Sequence, residues 1–350
     1  VCSSDLLWHG SWRKFVPTFS SSHSLITSRL LQRSVMTVSA KEIKQLRDAT
    51  GAPMMECKKA LEESQGNQTE AIDWLKQRGV ALASQKSGRK ASEGWIGLQK
   101  STDGKTVVMV EVNAETDFVS RGDAFSQAAT LLSQQALVIA EAEPSAASLE
   151  SVQQDPSVAT TITDLIAQVR ENCRLSRFAA LSTTVPAPLR QGGEDSTGTN
   201  QWIASYLHNV NEKSKQLAGM GVMVALSSPQ ASTPLSEELN QLSSHLAMHI
   251  AAGAPTYVQL SDIPAEHEER ERQLLKGADD LAGKPPNVQA NIVEGRLKKH
   301  WKAVTLYEQP WLMDTDVTVG NMLKQFGNTQ GTSVQVDQFV RFKVGEEDSV

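Results

Sequence analysis

The run Thr106-Val-Val-Met-Val-Glu-Val112 puts apolar side chains on both faces of an extended chain. Such a segment is stable only as an inner strand covered above and below. Gly94-Trp-Ile-Gly-Leu-Gln99 precedes it, and Asp103-Gly104 lies between the two runs. Asp-Gly at that place is a hairpin signal, because glycine accepts the positive φ of a tight turn. A helix over Asp123 to Ala142, a second over about Ala159 to Asn172 and a returning strand at Arg177-Phe-Ala-Ala-Leu-Ser-Thr-Thr-Val185 complete the order β-β-α-α-β. Trp202 to Leu207, Gly221 to Leu226, a helix from Leu235 to Ala252 and Gln338 to Val344 repeat this order weakly. Strand runs with helices grouped between them indicate the α+β class, with antiparallel sheets and helices packed on one face of each.

Ahead of this core, Ser39-Ala-Lys-Glu42 has the spacing of a capping box, Gly51 can close the helix it opens, and Pro53 suits the first turn of the next. Gly66 stops that second helix, and Asn67-Gln-Thr-Glu70 opens a third that is expected to end at Gly79. Residues 39–80 thus read as a three-helix module with a marginal core of its own. Residues 81–93, rich in Gly, Ser and basic side chains, read as a linker. The core then divides into residues 94–185 and residues 200–263 with 303–346. The densely charged residues 264–302, interrupted by Gly283-Lys-Pro-Pro286, are expected to project as a helical hairpin. Pro186 to Asn200 and Asn211 to Gly219 read as surface insertions. In residues 1–38, Arg13, Lys14, Arg29 and Arg33 face one acid, Asp5, in a hydroxyl-rich context. That is the character of a transit peptide, for a mitochondrion first and a plastid second, with a disordered leader as the alternative.

Composition narrows the chemistry. The net charge is −6 and aromatic residues make up 5%, so neither a basic groove nor stacking platforms for nucleic acid are encoded. No apolar run reaches the roughly 18 residues of a membrane span. Cys2, Cys57 and Cys173 lack metal-ligand or disulfide spacing. No phosphate-binding glycine loop and no nucleophile elbow occur, so neither a catalytic residue nor a cofactor is expected. His245 and His249 stand at i, i+4 and could face a metal together, as in a metalloenzyme, but no intervening Glu and no third ligand is in view, and helix packing is the preferred reading of them.

Two features point to protein recognition. Met54 and Met55 sit at the mouth of the second helix, where adjacent side chains cannot both enter one small core; they are either a flexible contact surface or a cover over the three helices. Lys58 and Lys59 read as a solvated face. Thr116-Asp117-Phe118-Val119 follows the buried strand at a strand-to-helix corner. It reads either as a capped turn with Phe118 in the core, or as a wedge in which a bulky ring beside a carboxylate enters another protein's pocket.

These residues resemble the elongation factor Ts family. The matching pieces are Leu46-Arg-Asp-Ala-Thr-Gly-Ala-Pro-Met-Met-Glu-Cys-Lys-Lys-Ala-Leu61, Glu111-Val-Asn-Ala-Glu-Thr-Asp-Phe-Val119, His245-Leu-Ala-Met-His-Ile-Ala-Ala252, Ile292-Val-Glu-Gly-Arg-Leu-Lys-Lys299 and Thr318-Val-Gly-Asn-Met-Leu323. The resemblance implies a ubiquitin-associated-like N-terminal module and a guanine-nucleotide exchange factor whose partner is the GTPase elongation factor Tu, with no cofactor, nucleic acid or membrane. It implies that Met54, Met55, Cys57 and Lys58, with Arg47 nearby, contact the GTPase domain. Thr116, Asp117, Phe118 and Val119 would act beside the partner's magnesium, and His208 would reach a distal domain. Val169-Arg170-Glu-Asn172 aligns with a contact loop that reads I-G-E-N, so Arg170 stands where the family has glycine. The extra C-terminal helix of bacterial relatives is expected to be missing. A ubiquitin-type adaptor built on residues 39–80 is the competing expectation.

Overall fold

The computed structural model describes residues 38–184, 200–229, 235–281 and 283–346. The expected leader, apart from Val38, and nearly all of the first insertion lie outside the described residues. Three helices come first: α1 (Ala40–Thr50), α2 (Met54–Glu63) and α3 (Gln68–Lys86). The capping box is formed, the Glu42 amide donating to the Ser39 hydroxyl while the Glu42 carboxylate accepts the Ser39 amide at 2.8 Å. Gly51 closes α1 at φ 68°, and Asn67 caps α3 by accepting from the amides of Thr69 and Glu70. Leu46, Cys57, Leu61 and Ala71 form the core between the helices.

The third helix does not stop at Gly79. It runs on to Lys86, so the first half of the expected linker is helical. A Cβ at Gly79 would lie 3.2 Å from Ala167 and 3.3 Å from Thr163. The glycine is therefore a close-approach point for a neighbouring helix, and the packing gained there outweighs its poor helix propensity.

The strands are β1 (Glu93–Lys100), β2 (Thr106–Ala114), β3 (Cys173–Ser182), β4 (Asn200–Val210), β5 (Leu217–Ser228), β6 (Pro310–Trp311), β7 (Asp314–Thr318) and β8 (Gln335–Lys343). The interleaved helices are α4 (Asp117–Ser120), α5 (Asp123–Ala142), α6 (Leu149–Gln154), α7 (Pro156–Val169), α8 (Glu237–Gly253), α9 (Ala265–Lys276), α10 (Pro286–Val304) and α11 (Val319–Gln330). Every residue of β2 is buried, as its sequence requires. β2 lies between β1 and β3, and β5 lies between β4 and β8, all antiparallel. Each trio carries a bulge in the pairing of its central and last strands, at Glu111/Val112 and at Ala225/Leu226. The expected duplication is thus present in the pairing pattern itself.

The trios are not separate sheets. β1 also pairs β5, through Ile96 with Ala218 and Gly97 with Leu217, so the described residues make one six-stranded sheet. Alternation along β2 sends Val110 and Val112 outward against α5 and α7, while Val107 and Met109 face inward. There they meet Ile203, Met223 and Phe342 of the second trio. α8 and α11 cover the outer face of that trio. Gly221 permits the close approach of the inner faces, since a Cβ there would fall 2.6 Å from the Met109 sulfur. The stretch read as an insertion after Asn211 is mostly a tight connection. The Asn211 side chain accepts the amides of Lys213 and Ser214, and β5 begins at Leu217. α9 and α10 form the expected charged hairpin, with a small core of Leu281, Val293 and Leu297.

One ion pair lies between the inner faces. Glu111 accepts from Arg177 of β3 at 2.6 Å, from the Asn113 side chain at 2.8 Å and from the Gly345 amide at 2.9 Å. Arg177 also donates to the Lys343 carbonyl at 2.6 Å and lies 4.4 Å from the Phe342 ring centre. Removing one member of such a pair strands the other charge, so Glu111→Ala is expected to cost about 3–5 kcal/mol. Urea unfolding reads this as a lowered midpoint, and an apolar pair replacing both residues should recover most of it.

Candidate partner-binding site

The corner after β2 is built by reciprocal carboxylate bonds. Thr116 has the extended backbone of a helix cap, and its hydroxyl accepts the Val119 amide while donating to Glu171 at 2.7 Å. The Thr116 amide donates to the other oxygen of Glu171 at 3.0 Å. In the opposite direction, the Asn172 amide donates to Glu115 at 2.6 Å. The Asn172 side chain donates to the Arg89 carbonyl at 2.7 Å, and the indole of Trp95 in β1 donates to the Ser120 carbonyl at 2.7 Å. Val119 packs inward on the α5 and α7 core. With Val119 anchored and Thr116 capped, the residue between Asp117 and Val119 must point outward.

Phe118 is 86% exposed. Of the two readings of this corner, the buried one is therefore excluded, and the ring stands free on a braced mount. Asp117 is half-exposed and pairs with Arg121 at 3.3 Å. Glu171 and Asn172 lie in the stretch aligned with a contact loop and Glu115 in the matching piece Glu111 to Val119, but the brace they make together was not expected from the sequence. The bonds they make cross between two segments some 55 residues apart, which no local spacing announces.

The other expected contacts divide. Met54 and Met55 are both exposed, Met55 at 72%, which excludes the reading in which they cover the three-helix core. Arg47 is exposed on α1, and Lys58 is half-exposed opposite Glu62 at 3.7 Å. Cys57 is corrected: it is fully buried, its thiol donates to the Ala52 carbonyl, and burial pushes its pKa up. It packs as a small apolar group and presents no surface. Val169 likewise lies partly buried against the α5 and α7 core. Arg170 is exposed and reaches back to α2, where it pairs with Glu56 at 2.6 Å. His208 lies exposed on β4, in the other trio, with its Nδ1 3.2 Å from the Tyr206 hydroxyl.

His249 faces the core. Its Nε2 bonds Gln309 at 3.0 Å, its Nδ1 accepts the Leu312 amide at 3.3 Å, and its ring stacks on Trp311. Both nitrogens are engaged, and burial holds its pKa below the usual imidazole value, so the packing reading of this histidine stands. Among the described residues no three or more His, Cys, Asp or Glu side chains are grouped so as to hold a metal ion. Cys173 is buried too, its thiol pushed up to about 12 by that burial.

The family model for elongation factor Ts matches residues 115–346, a span that starts at the corner itself. The chain belongs to the elongation factor Ts family. An elongation factor Ts of Nostoc sp. is 37% identical over 310 residues, covering 88% of this chain and 93% of that protein. One of Rhizobium etli is 38% identical over 309 residues with the same coverage. That of Prosthecochloris aestuarii is 36% identical, with 99% of its length covered. Family membership makes this a translation elongation factor. No helix among the described residues is long and apolar enough to cross a membrane.

The corner should respond to acid in a defined direction. The Asn172 amide, more than any other contact, holds the Glu115 carboxyl below its ordinary value, with Arg89 assisting. A lowered carboxyl pKa means that the bond from the Asn172 amide to Glu115 is at full strength above about pH 4.5 and is lost as pH falls through the native value. Protection of the Asn172 amide against hydrogen exchange, corrected for intrinsic rates, should fall over that window. Glu115→Gln should remove this dependence.

Proposed function

We propose that this protein is a guanine-nucleotide exchange factor for elongation factor Tu, and that Phe118 is the part that acts on the nucleotide site. The observation that carries this reading is a phenyl ring left almost wholly in water on a corner held by three bonds to carboxylates and two to backbone carbonyls. Keeping a large apolar ring exposed forfeits about 1.5–3 kcal/mol of burial, and a rigid mount means little ordering entropy is lost when it docks. Such a ring enters a pocket beside the partner's magnesium, with the Asp117 carboxylate next to it. Displacing the metal leaves the diphosphate charges uncompensated, and GDP leaves.

This is linkage and not bond chemistry. A factor that prefers the nucleotide-free partner weakens nucleotide by the same factor by which nucleotide weakens it. A thousandfold acceleration corresponds to a barrier lowered by about 4 kcal/mol. The protein makes and breaks no covalent bond and uses no cofactor, so it is not an enzyme in the bond-making sense. Met54, Met55, Arg47 and Lys58 supply a second contact, on the GTPase domain, through the ubiquitin-associated-like module, and His208 supplies a third, on a distal domain. The basic, hydroxyl-rich leader supports action in an organelle, a mitochondrion before a plastid.

Phe118→Ala tests the reading, because the side chain is exposed and its loss leaves the fold intact. Truncating an aromatic anchor costs about 2 kcal/mol, or about a thirtyfold slower GDP release. Stopped-flow release of a fluorescent GDP from elongation factor Tu measures it, and an unchanged rate would remove the wedge from the mechanism.

A further inference from the structure

Three consecutive residues after α7 join the three-helix module to the corner. Arg170 faces the three-helix module: its guanidinium meets Glu56 of α2 at 2.6 Å, and its carbonyl accepts from Lys86, the last residue of α3. Glu171 and Asn172 face the opposite way and hold Thr116 and Glu115. Glu56 is largely buried, its side chain 15% exposed, and it is also paired with Arg78 of α3 at 2.7 Å. Burial alone would raise the Glu56 carboxyl, but the two guanidiniums outweigh it and its pKa falls below the ordinary value. Glu56 directly follows Met55 on α2, so the helix that offers two exposed methionines to a partner on one side is pinned by Glu56 on the other.

We propose that Arg170 is a positioning residue that couples the three-helix module to the Phe118 corner, so that seating of the module at Met54 and Met55 is felt at the wedge through Glu56, Arg170 and the Glu171–Asn172 brace. The inference deepens the exchange-factor reading and rests on it for its functional half. Its structural half stands on the free protein alone. The path is short: one ion pair and one peptide unit separate Glu56 from the carboxylate that holds Thr116. It is also specific, because α7 ends at Arg170 in the left-handed conformation, φ 59°, and the guanidinium is thereby aimed back across α2.

That same φ makes a clean variant available. Glycine adopts a positive φ without penalty, so Arg170→Gly removes the guanidinium and leaves the loop backbone at ease. Glu56→Gln removes the charge from the other end. In the full chain, without partner, each variant should raise amide hydrogen exchange at Thr116 and Asn172 by about threefold to tenfold. The double variant should be no worse than the more severe single one, since both break the same link. In GDP release from elongation factor Tu, Arg170→Gly should lower the maximal rate at saturating protein more than it raises the half-saturating concentration, and Arg170→Lys should restore part of it. Unchanged exchange at both amides in both single variants would overturn the coupling. So would a pure half-saturation effect, which marks Arg170 as a simple contact. If the unaltered protein fails to accelerate GDP release, the exchange-factor reading falls, while the two amides still decide whether the module and corner are linked.

Discussion

The Glu111–Arg177 pair is the interaction on which the arrangement of the two trios depends. Inner faces lined with Val107, Met109, Ile203 and Met223 would slide over one another at little cost, because apolar contact is not directional. A buried carboxylate that must be met by Arg177, Asn113 and the Gly345 amide at once admits a single alignment. It also brings the end of β8 onto the strand that leads into the corner, since Gly345 and Lys343 bind the same pair. Glu111 stands at the bulge, and the chain reaches Thr116 only five residues later. The alignment that seals the core is therefore also the one that aims the corner.

The corner converts that alignment into a presented group. Thr116 and Glu115 each bond the segment after α7, and each of its two carboxylates, Glu115 and Glu171, is satisfied by donors from the other strand of chain. Bonds with a charged acceptor are stronger than neutral ones, and a crossed set resists both twisting and sliding. Val119 and Trp95 hold the corner from beneath. What is left outside is one ring. An element with so few apolar contacts of its own would ordinarily belong to the least stable parts of a fold; here the ionic brace replaces the missing packing.

Much of this was legible in the sequence. The covered strand, the Asp103-Gly104 hairpin, the Ser39 and Asn67 caps and the α5 boundaries follow from local pattern and were found where the spacing put them. The duplication was visible as element order. Local reasoning went astray at Gly79, where a helix-ending signal was a packing point, and in treating the two trios as separate sheets, because the β1–β5 joint rests on only two residue pairs. The β6–β7 ribbon was missed because strands of two and five residues carry little periodicity, whereas α11 was missed although Thr318 caps it and Val319 and Leu323 line one buried face. At the site, Cys57 shared a motif with Met54 and Met55 yet faces inward, since neighbours on a helix point in different directions.

Sequence by itself determined the class of fold and the family, because strand burial, helix caps and the contiguous Thr116 to Val119 motif are local properties of the chain. It left open whether Phe118 lay inside or outside, and whether Met54 and Met55 covered a core or offered a surface. Only the tertiary structure decided these. The direction of a side chain at a corner depends on what fills the space beneath it, and here that space is taken by Val119, Trp95 and a segment that arrives from some 55 residues further along the chain.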